Sequence, residues 1–279
     1  MSYLSAIILG LVQGIAEFLP ISSSGHLAIF QNFFGLVDVE SENLFFDVLL
    51  HLGTLLAVFV AYRKDIGELI VAFFSLFTRD TQQAAKSSRD YRPARRMILL
   101  IIIATLPLFL VLPIKKYVEG LYYNTFFIGA ALLVTGLLLF LSDRFRKGYK
   151  TEKSATLLDA LFVGFAQALA TVPGLSRSGT TIAAGLTRKF ERPFAVRFSF
   201  LMSIPAVLGA NILSLIDALQ GNVDWSLMPV YLVGVAVAAV SGYFSIRLLK
   251  FISERSNFGG FAYYCWVAGA FTLIMSLVS

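Results

Sequence analysis

Residues 10–26 read GLVQGIAEFLPISSSGH, residues 164–180 read GFAQALATVPGLSRSGT, and the likeness between these two stretches decides the fold. Each starts as an apolar helix pattern and is then interrupted by proline, glycine and serine. Because proline lacks a backbone donor and ends helices, each stretch is predicted to form two half-helices joined by a polar turn. Identical residues stand at the matched positions Gly10/Gly164, Gln13/Gln167, Ala16/Ala170, Ser22/Ser176, Ser24/Ser178 and Gly25/Gly179. The sequence therefore predicts an internal repeat with one interrupted helix in each half.

The composition places both stretches in a membrane. Hydrophobic residues make up 57% of the chain and charged residues only 14%, whereas a soluble domain has roughly 25% charged residues. This excludes a cytosolic enzyme and a disordered protein, and the single cysteine excludes a scaffold of internal disulfides. The apolar residues run in long blocks and do not alternate, which argues against a membrane β-barrel. We therefore expect an all-α polytopic membrane protein.

Apolar blocks of about 20 residues, the length that crosses a bilayer, follow each interrupted run. The interrupted runs cover 3–34, with a break at 20–26, and 156–186. The predicted spans are 45–62, 95–112, 124–141, 194–215, 229–249 and 259–278. Residues 66–78 are too short to cross and lie between basic residues, so we expect an interfacial helix there. No cleavable signal peptide is predicted, since no basic region precedes the first apolar stretch.

The basic residues set the orientation of these spans. Loops at 79–96 and 142–153 are rich in lysine and arginine and are therefore placed in the cytoplasm. Nearly all other basic residues fall on the same face only if each interrupted run enters and leaves the membrane on one side, as a re-entrant hairpin. The first hairpin then enters from outside, the second enters from the cytoplasm, and both termini lie outside. The net charge of +6 comes from these short loops and does not indicate a nucleic-acid partner.

The two halves are predicted to form one membrane domain over residues 1–279. Repeat 1 covers about 1–141, repeat 2 about 156–279, and a basic cytoplasmic loop at 142–155 joins them. Each half contains one hairpin and three spans, so the second half is inverted relative to the first. Phe46/Phe198 and Leu49/Leu201 extend the repeat beyond the hairpins. Inverted repeats with broken helices at matched positions are typical of proteins whose ligand binds near the middle of the membrane.

A few ionisable residues fall inside the predicted membrane region, where each costs about a few kcal/mol on insertion scales. They are Glu17, His26, Asp47, His51 and Arg177, and they include both histidines of the chain. Asp47 and His51 lie one helical turn apart, where they can pair with each other, and the sequence leaves their role open. Arg177 and Glu17 are the residues that most require a function, although a purely structural ion pair between them is the alternative.

The second hairpin has the composition of an anion site. Its Pro173 and Gly174 end one half-helix, and the next opens with residues that offer hydroxyls and helix N-terminal amides, namely Ser176, Ser178, Gly179, Thr180 and Thr181. Arg177 adds a planar guanidinium that suits phosphate oxygens. The first hairpin repeats the plan with Ser22, Ser23, Ser24 and Gly25, but it carries Glu17 and His26 where the second has threonines. We expect the anion binder and the acid/base groups to converge on one ligand, although serines in apolar helices also bond back to their own backbone.

These segments together resemble the undecaprenyl-diphosphate phosphatase (bacitracin-resistance protein) family. FFDVLLHLGTLLAV at 45–58 and RFSFLMSIPAVLGA at 197–210 extend the resemblance over nearly the whole chain. The resemblance implies a bacterial inner-membrane enzyme that removes the terminal phosphate of a C55 polyprenyl diphosphate. It would thereby recycle the lipid carrier for peptidoglycan and other cell-wall polysaccharides and confer bacitracin resistance. It also implies a dependence on a divalent cation, Mg²⁺ or Ca²⁺.

The resemblance carries over residue by residue at the site. The first family motif, Glu or Gln followed three residues later by Glu, corresponds to Gln13 and Glu17, so this chain has the Gln form. Its serine and histidine correspond to Ser23 and His26, and its second motif corresponds to Ser176, Arg177 and Thr181.

These assignments suggest how the site would work. Glu17 is expected to act as general base or metal ligand, with Gln13 on the same ion. Ser23 is the first choice of nucleophile, and His26 or a water molecule are rivals. The remaining hairpin residues, expected to bind substrate, are Ser22, Ser24, Gly25, Ser176, Ser178, Gly179, Thr180 and Thr181.

Two other functions remain open at this point. A polyprenyl-phosphate transporter or flippase could have the same inverted-repeat fold, and an intramembrane serine protease could use Ser23 and His26. Proteolysis would leave Arg177 without a role. The sequence also leaves open the face to which the site opens and the oligomeric state, a homodimer included. The predicted partners are the polyprenyl diphosphate and the bilayer.

Overall fold

The computed structural model describes residues 1–34, 42–75, 92–145, 148–219, 224–255 and 258–278. Within these ranges the chain is helical apart from turns and an isolated bridge between Lys150 and Phe190. The predicted all-α membrane protein is confirmed. Most of the predicted basic loop at 79–96 lies outside the described residues, which resume at Arg92.

The helices follow one another in the order that the sequence predicts. They are α1 (Tyr3–Phe18), α2 (Ser23–Phe34), α3 (Glu42–Ala61), α4 (Arg63–Phe74), α5 (Arg92–Thr105), α6 (Lys115–Gly120), α7 (Thr125–Ser142), α8 (Leu157–Leu169), α9 (Arg177–Thr187), α10 (Arg192–Leu219), α11 (Met228–Arg255) and α12 (Gly259–Val278). The segments long and apolar enough to cross a membrane are Arg92–Tyr123, Thr125–Ser142, Arg192–Ile216, Trp225–Glu254 and Gly259–Leu277. Helices α3 and α4 add a further apolar run that bends by 83° between them.

Two pairs of short helices form the predicted hairpins. Helices α1 and α2 have 16 and 12 residues and pack on each other, as do α8 and α9, which have 13 and 11. All four fall short of the roughly 20 residues that cross the hydrocarbon. The first break is shorter than predicted: α2 starts at Ser23, so Ser24, Gly25 and His26 belong to its first turn. The sides from which the hairpins enter, and the outer position of both termini, stay predictions.

One predicted span has a different local structure. We expected a single helix over 95–112, but α5 ends at Thr105 and is followed by 3₁₀ segments at Leu106–Leu110 and Leu112–Ile114. Pro107 and Pro113 cause the change, because each removes a backbone donor and blocks a regular α-helix. The segment predicted at 66–78 is helical as α4, which covers Arg63–Phe74 and begins directly after the sharp bend at Tyr62. Residues 76–78 lie outside the described residues, and the interfacial position of this helix stays a prediction.

Glycines let the hairpins pack closely against long helices. A Cβ atom on Gly10 of α1 would lie 2.5 Å from the carbonyl oxygen of Gly234 in α11, and one on Gly164 of α8 would lie 2.5 Å from that of Ala104 in α5. Gly10 and Gly164 are matched positions of the predicted repeat, and each brings the first helix of its hairpin against the backbone of a long helix. Small residues at such contacts are the usual means of close helix packing in membranes. The inversion of the repeat itself stays a prediction.

The buried carboxylate of Asp159 holds the two ends of the second hairpin together. Asp159, near the start of α8, is fully buried and accepts hydrogen bonds of 2.7 Å from Lys150 Nζ and from Arg188 Nε. Its other partner is Thr156, with which it forms the capping box of α8. Since Arg188 directly follows α9, Asp159 joins the N-terminal end of α8 to the C-terminal end of α9. Lys150 belongs to the predicted basic loop at 142–155, so this loop has a structural role in addition to its topological one.

The close packing at matched glycines predicts a loss of stability on substitution. Gly10→Ala and Gly164→Ala should each lower the free energy of unfolding by about 1–3 kcal/mol, because the added methyl group overlaps a backbone carbonyl of the neighbouring helix. Thermal unfolding of the purified protein in detergent measures this loss. Gly67→Ala in α4 is the matched control, since its Cβ would meet no atom within 4 Å. Equal melting temperatures for all three variants would contradict the prediction.

Candidate active site

The turns of the two hairpins meet inside the protein. The backbone N–H of Gly174 donates to Ser24 Oγ at 3.4 Å, and Ser178 Oγ donates to the carbonyl oxygen of Leu19 at 3.4 Å. A Cβ atom on Gly25 would lie 3.2 Å from the Cα of Gly174. The matched serines and glycines of the predicted repeat therefore let each turn approach the other. The structure brings together the two polar turns, as the sequence predicts.

Glu17 contacts residues of both hairpins at the place where the two turns meet. Its side chain is almost fully buried and forms an ion pair with Arg177, which lies 160 positions later in the chain. Ser23 Oγ donates to Glu17 Oε2 at 2.6 Å, and Gln13 Nε2 donates to the same oxygen at 3.1 Å. One carboxylate thus holds the cationic group of the second hairpin and the candidate nucleophile of the first. These contacts place the predicted residues within reach of one ligand.

A rigid turn presents Arg177 to the carboxylate. Arg177 is the first residue of α9, and the preceding Ser176 caps this helix by accepting the backbone N–H of Gly179 at 3.1 Å. Thr135 of α7 holds the same turn: its hydroxyl donates to the carbonyl oxygen of Gly174 at 3.1 Å and accepts the N–H of Ser176 at 3.0 Å. Gly174 has a φ of +88°, a conformation that suits glycine. Arg177 is therefore well fixed at its backbone.

Access to the pair is provided by a small cleft. Residues of four helices line it: Glu17, Phe18, Thr54, Leu55, Val58, Arg177, Ser203 and Val207. The side chain of Arg177 remains 23% exposed, whereas that of Glu17 is 7% exposed. The guanidinium is thus the more exposed of the two charged groups.

His51 is a site residue whose role the sequence left open. Its Nε2 lies 3.9 Å from Glu17 Oε2, and its Nδ1 donates to the backbone carbonyl oxygen of Asp47 at 2.8 Å. A carbonyl oxygen only accepts, so Nδ1 carries a proton, while Nε2 faces the carboxylate. The i,i+4 spacing of Asp47 and His51 suggested a local pair, and it gave no sign that the ring also faces Glu17 on α1. The signal available was the rarity of histidine, since the chain has two.

His26 lies beside the first turn and faces a different partner. Its Nδ1 is 2.7 Å from the carbonyl oxygen of Ser22, and its Nε2 is 2.7 Å from the hydroxyl of Tyr264 in α12. Ser23, in contrast, contacts Glu17 directly. The geometry therefore favours Glu17 over His26 as the group that activates Ser23.

Most of the predicted substrate-binding hydroxyls already have protein partners. Ser22 Oγ accepts the N–H of Gly25 at 3.2 Å and lies 3.3 Å from Ser24 Oγ. Ser176 and Ser178 repeat the same arrangement in the second hairpin, with hydroxyls 3.2 Å apart. Thr181 Oγ1 donates to the carbonyl oxygen of Arg177 at 2.8 Å and lies 2.7 Å from Ser199 Oγ. These hydroxyls stabilise the turns.

Thr180 differs from the other hydroxyl residues of the second hairpin. Its Oγ1 is buried and has no hydrogen-bond partner within the described part of the chain. Thr180 therefore keeps a free hydroxyl at the position that matches His26 in the predicted repeat.

A divalent cation would find oxygen ligands on α1. Gln13 Oε1 is buried without a partner among the described residues, one helical turn from Glu17. Nowhere in the described ranges do three or more His, Cys, Asp or Glu side chains gather in a way that could hold a metal. Mg²⁺ is usually bound by one or two protein carboxylates together with substrate phosphates. Gln13 and Glu17 offer oxygens of the kind such a site uses, and the substrate would supply the others; for both to hold one ion, the Gln13 amide, whose Nε2 now faces Glu17, would have to turn.

Comparison with known proteins gives a consistent result. The family model described as bacitracin resistance protein BacA matches residues 6–271. The undecaprenyl-diphosphatase of Methanosphaera stadtmanae is 41% identical over 99% of this chain and 98% of its own length. Those of Carboxydothermus hydrogenoformans and Syntrophotalea carbinolica are 40% and 42% identical over 99% of this chain and over 98% and 100% of their own lengths. Because the match in family and in length covers nearly the whole sequence, the chain belongs to the bacitracin resistance protein BacA family.

Proposed function

We propose that this protein is a membrane phosphatase that hydrolyses undecaprenyl diphosphate to undecaprenyl phosphate and inorganic phosphate. The observation that carries the proposal is the ion pair of Glu17 and Arg177, with Ser23 on the same carboxylate. Charged groups inside a membrane protein are costly and usually serve function. A guanidinium suits phosphate oxygens, and a carboxylate beside a hydroxyl suits the activation of a nucleophile. The names of the relatives agree with this chemistry.

The first step is an exchange of partners at Arg177. A diphosphate headgroup carries a charge of about −3, and phosphoryl transfer depends mainly on positioning and on neutralising that charge. When the headgroup enters the cleft, its oxygens replace the carboxylate of Glu17 on the partly exposed guanidinium. The isoprenoid chain remains in the lipid. Glu17 then keeps its second oxygen on Ser23 at 2.6 Å.

The second step is attack on the terminal phosphorus. Glu17 takes the proton of Ser23 as general base, and Ser23 Oγ forms a bond to the terminal phosphorus. The bond from this phosphorus to the bridging oxygen breaks, and undecaprenyl phosphate leaves. Water then hydrolyses the phosphoserine and regenerates the enzyme. Ser23 is favoured over His26 because it contacts Glu17, while a water molecule activated by Glu17 remains the rival that the trapping experiment below decides.

A divalent cation bound by Gln13 and Glu17 would add positive charge beside the phosphates, and this is the chemistry that it supplies.

We place the protein in the bacterial inner membrane with both termini outside. There it recycles the lipid carrier for peptidoglycan and confers bacitracin resistance.

A transporter is the second candidate, because α1 packs on α11 as α8 packs on α5, a pairing that fits the predicted inverted repeat. A purified protein that releases phosphate from undecaprenyl diphosphate in detergent supports the enzyme, and a pure carrier releases none.

The role of Arg177 predicts a large loss of activity. Arg177→Ala should lower kcat/KM for undecaprenyl diphosphate at least about a hundredfold, since the developing phosphate charge loses its principal cationic partner. Phosphate release by the purified variant measures this effect. Arg144→Ala, which removes an exposed arginine that lies over Phe140, is the control. Hydrolysis by Arg177→Ala at close to the wild-type rate would remove this site from consideration.

The role of Ser23 predicts a covalent intermediate. Rapid quenching with labelled substrate should trap a phosphoenzyme that peptide mapping assigns to Ser23, and Ser23→Ala should lose both the adduct and turnover. Ser24→Ala is the matched control, because Ser24 contacts the opposite turn and not Glu17. An adduct on His26 would identify that residue as the nucleophile. Turnover without any adduct would indicate attack by water.

The proposed cation site predicts that the enzyme loses activity when a chelator removes the cation. EDTA should abolish phosphate release, and Mg²⁺ or Ca²⁺ should restore it. Gln13→Glu should lower the cation concentration at half-maximal activity, because a carboxylate binds a hard cation more strongly than an amide oxygen. A titration of activity against free cation compares the variant with the wild type. Full activity in EDTA would contradict a metal-dependent reaction.

A further inference from the structure

The ring of His26 is held at both nitrogens. Nδ1 lies 2.7 Å from the carbonyl oxygen of Ser22, and because a carbonyl oxygen only accepts, Nδ1 carries a proton. Nε2 lies 2.7 Å from the hydroxyl of Tyr264, and the two rings stack with an angle of 12° between their planes. Tyr264 therefore holds this imidazole by a hydrogen bond, with the two ring planes nearly parallel and the ring centroids 5.6 Å apart.

His26 is neutral in this arrangement. It is 7% exposed, and its ring nitrogens meet a carbonyl oxygen and a phenol. A buried imidazolium requires a counter-charge, and the carboxylate of Glu17 is engaged by Arg177 and Ser23 instead. The Tyr264 hydroxyl thus donates a hydrogen bond to Nε2, whose lone pair is occupied. In this state His26 offers no free nitrogen to a substrate or to Ser23.

The carbonyl group that His26 holds belongs to a strained turn. Ser22 has a φ of 73°, in the left-handed region that non-glycine residues rarely adopt. Such a conformation persists where neighbouring contacts hold it. The next residue is Ser23, whose hydroxyl lies 2.6 Å from Glu17. The hydrogen bond from His26 to Ser22 therefore fixes the backbone directly before the candidate nucleophile.

We propose that Tyr264 is a positioning residue of the phosphatase site, a role that rests on the proposed function. Its hydroxyl holds the His26 ring against the carbonyl oxygen of Ser22, and the turn fixed in this way keeps Ser23 on Glu17. His26 acts as a brace between α12 and this turn, and Glu17 is the base for Ser23. Tyr264 belongs to a helix far from both hairpin motifs in sequence, and it acts without touching the reacting atoms.

Nitrogen NMR of labelled histidine tests the contact without reference to activity. The chain has two histidines, so His51→Gln leaves the signals of His26 alone. We expect one protonated and one unprotonated ring nitrogen, and Tyr264→Phe should shift the unprotonated resonance to that of an imidazole without a hydrogen bond. Phenylalanine keeps the stacked ring, so the variant should fold. Tyr263→Phe is the matched control, because Tyr263 contacts Phe140 and Trp266. A doubly protonated ring, or no shift in Tyr264→Phe, would overturn the proposal.

Kinetics separate positioning from substrate contact. Tyr264→Phe should lower kcat roughly threefold to tenfold, the effect of losing one neutral hydrogen bond, with KM almost unchanged. A raised KM at unchanged kcat would make Tyr264 a substrate contact and overturn the proposal, as would wild-type values for both. If the wild-type protein releases no phosphate from undecaprenyl diphosphate, the proposed function fails. The NMR result then still decides whether Tyr264 holds His26.

Discussion

The ion pair of Glu17 and Arg177 is the interaction on which the rest of the site depends. Each group is expensive to bury alone, and each compensates the charge of the other. Their pairing joins two hairpins that are far apart in sequence and places the carboxylate between a guanidinium and the hydroxyl of Ser23. If either charge is lost, the other remains uncompensated in a region with little water. The pair is therefore both the structural link between the hairpins and the chemistry of the site.

Helices outside the hairpins determine the geometry of this pair. Thr135 of α7 holds the turn before Arg177, and Tyr264 of α12 holds His26 beside the turn before Ser23. Helices α7 and α12 pack against each other, and a Cβ atom on Gly136 of α7 would lie 2.5 Å from the ring of Trp266. One tightly packed helix pair thus supports both turns. Rigid helices therefore help to set the distance between Ser23 and Arg177, together with the direct contacts between the two turns.

The sequence predicts those parts of the site that depend only on residues close together in the chain. Proline, glycine and serine mark each broken helix, and charged residues in an apolar run identify Glu17 and Arg177 without any structure. Residues whose role depends on a distant partner are not predictable in this way. The i,i+4 spacing of His51 and Asp47 suggests a local pair, and the ring does contact the backbone of Asp47, but its other nitrogen faces Glu17 on another helix. Thr135 and Tyr264 look like ordinary residues of a span, because nothing near them in sequence shows what they hold.

The resting pair also explains why one carboxylate can serve two purposes. While Arg177 holds Glu17, the charge of each is compensated by the other. A diphosphate that binds Arg177 removes this partner from Glu17 and adds negative charge beside it. The carboxylate oxygen that faces Ser23 is then better able to accept a proton, at the moment when the phosphorus is in place. In the proposed reaction, substrate binding thereby converts a structural ion pair into a base next to a nucleophile, and Ser23 is activated when the headgroup arrives.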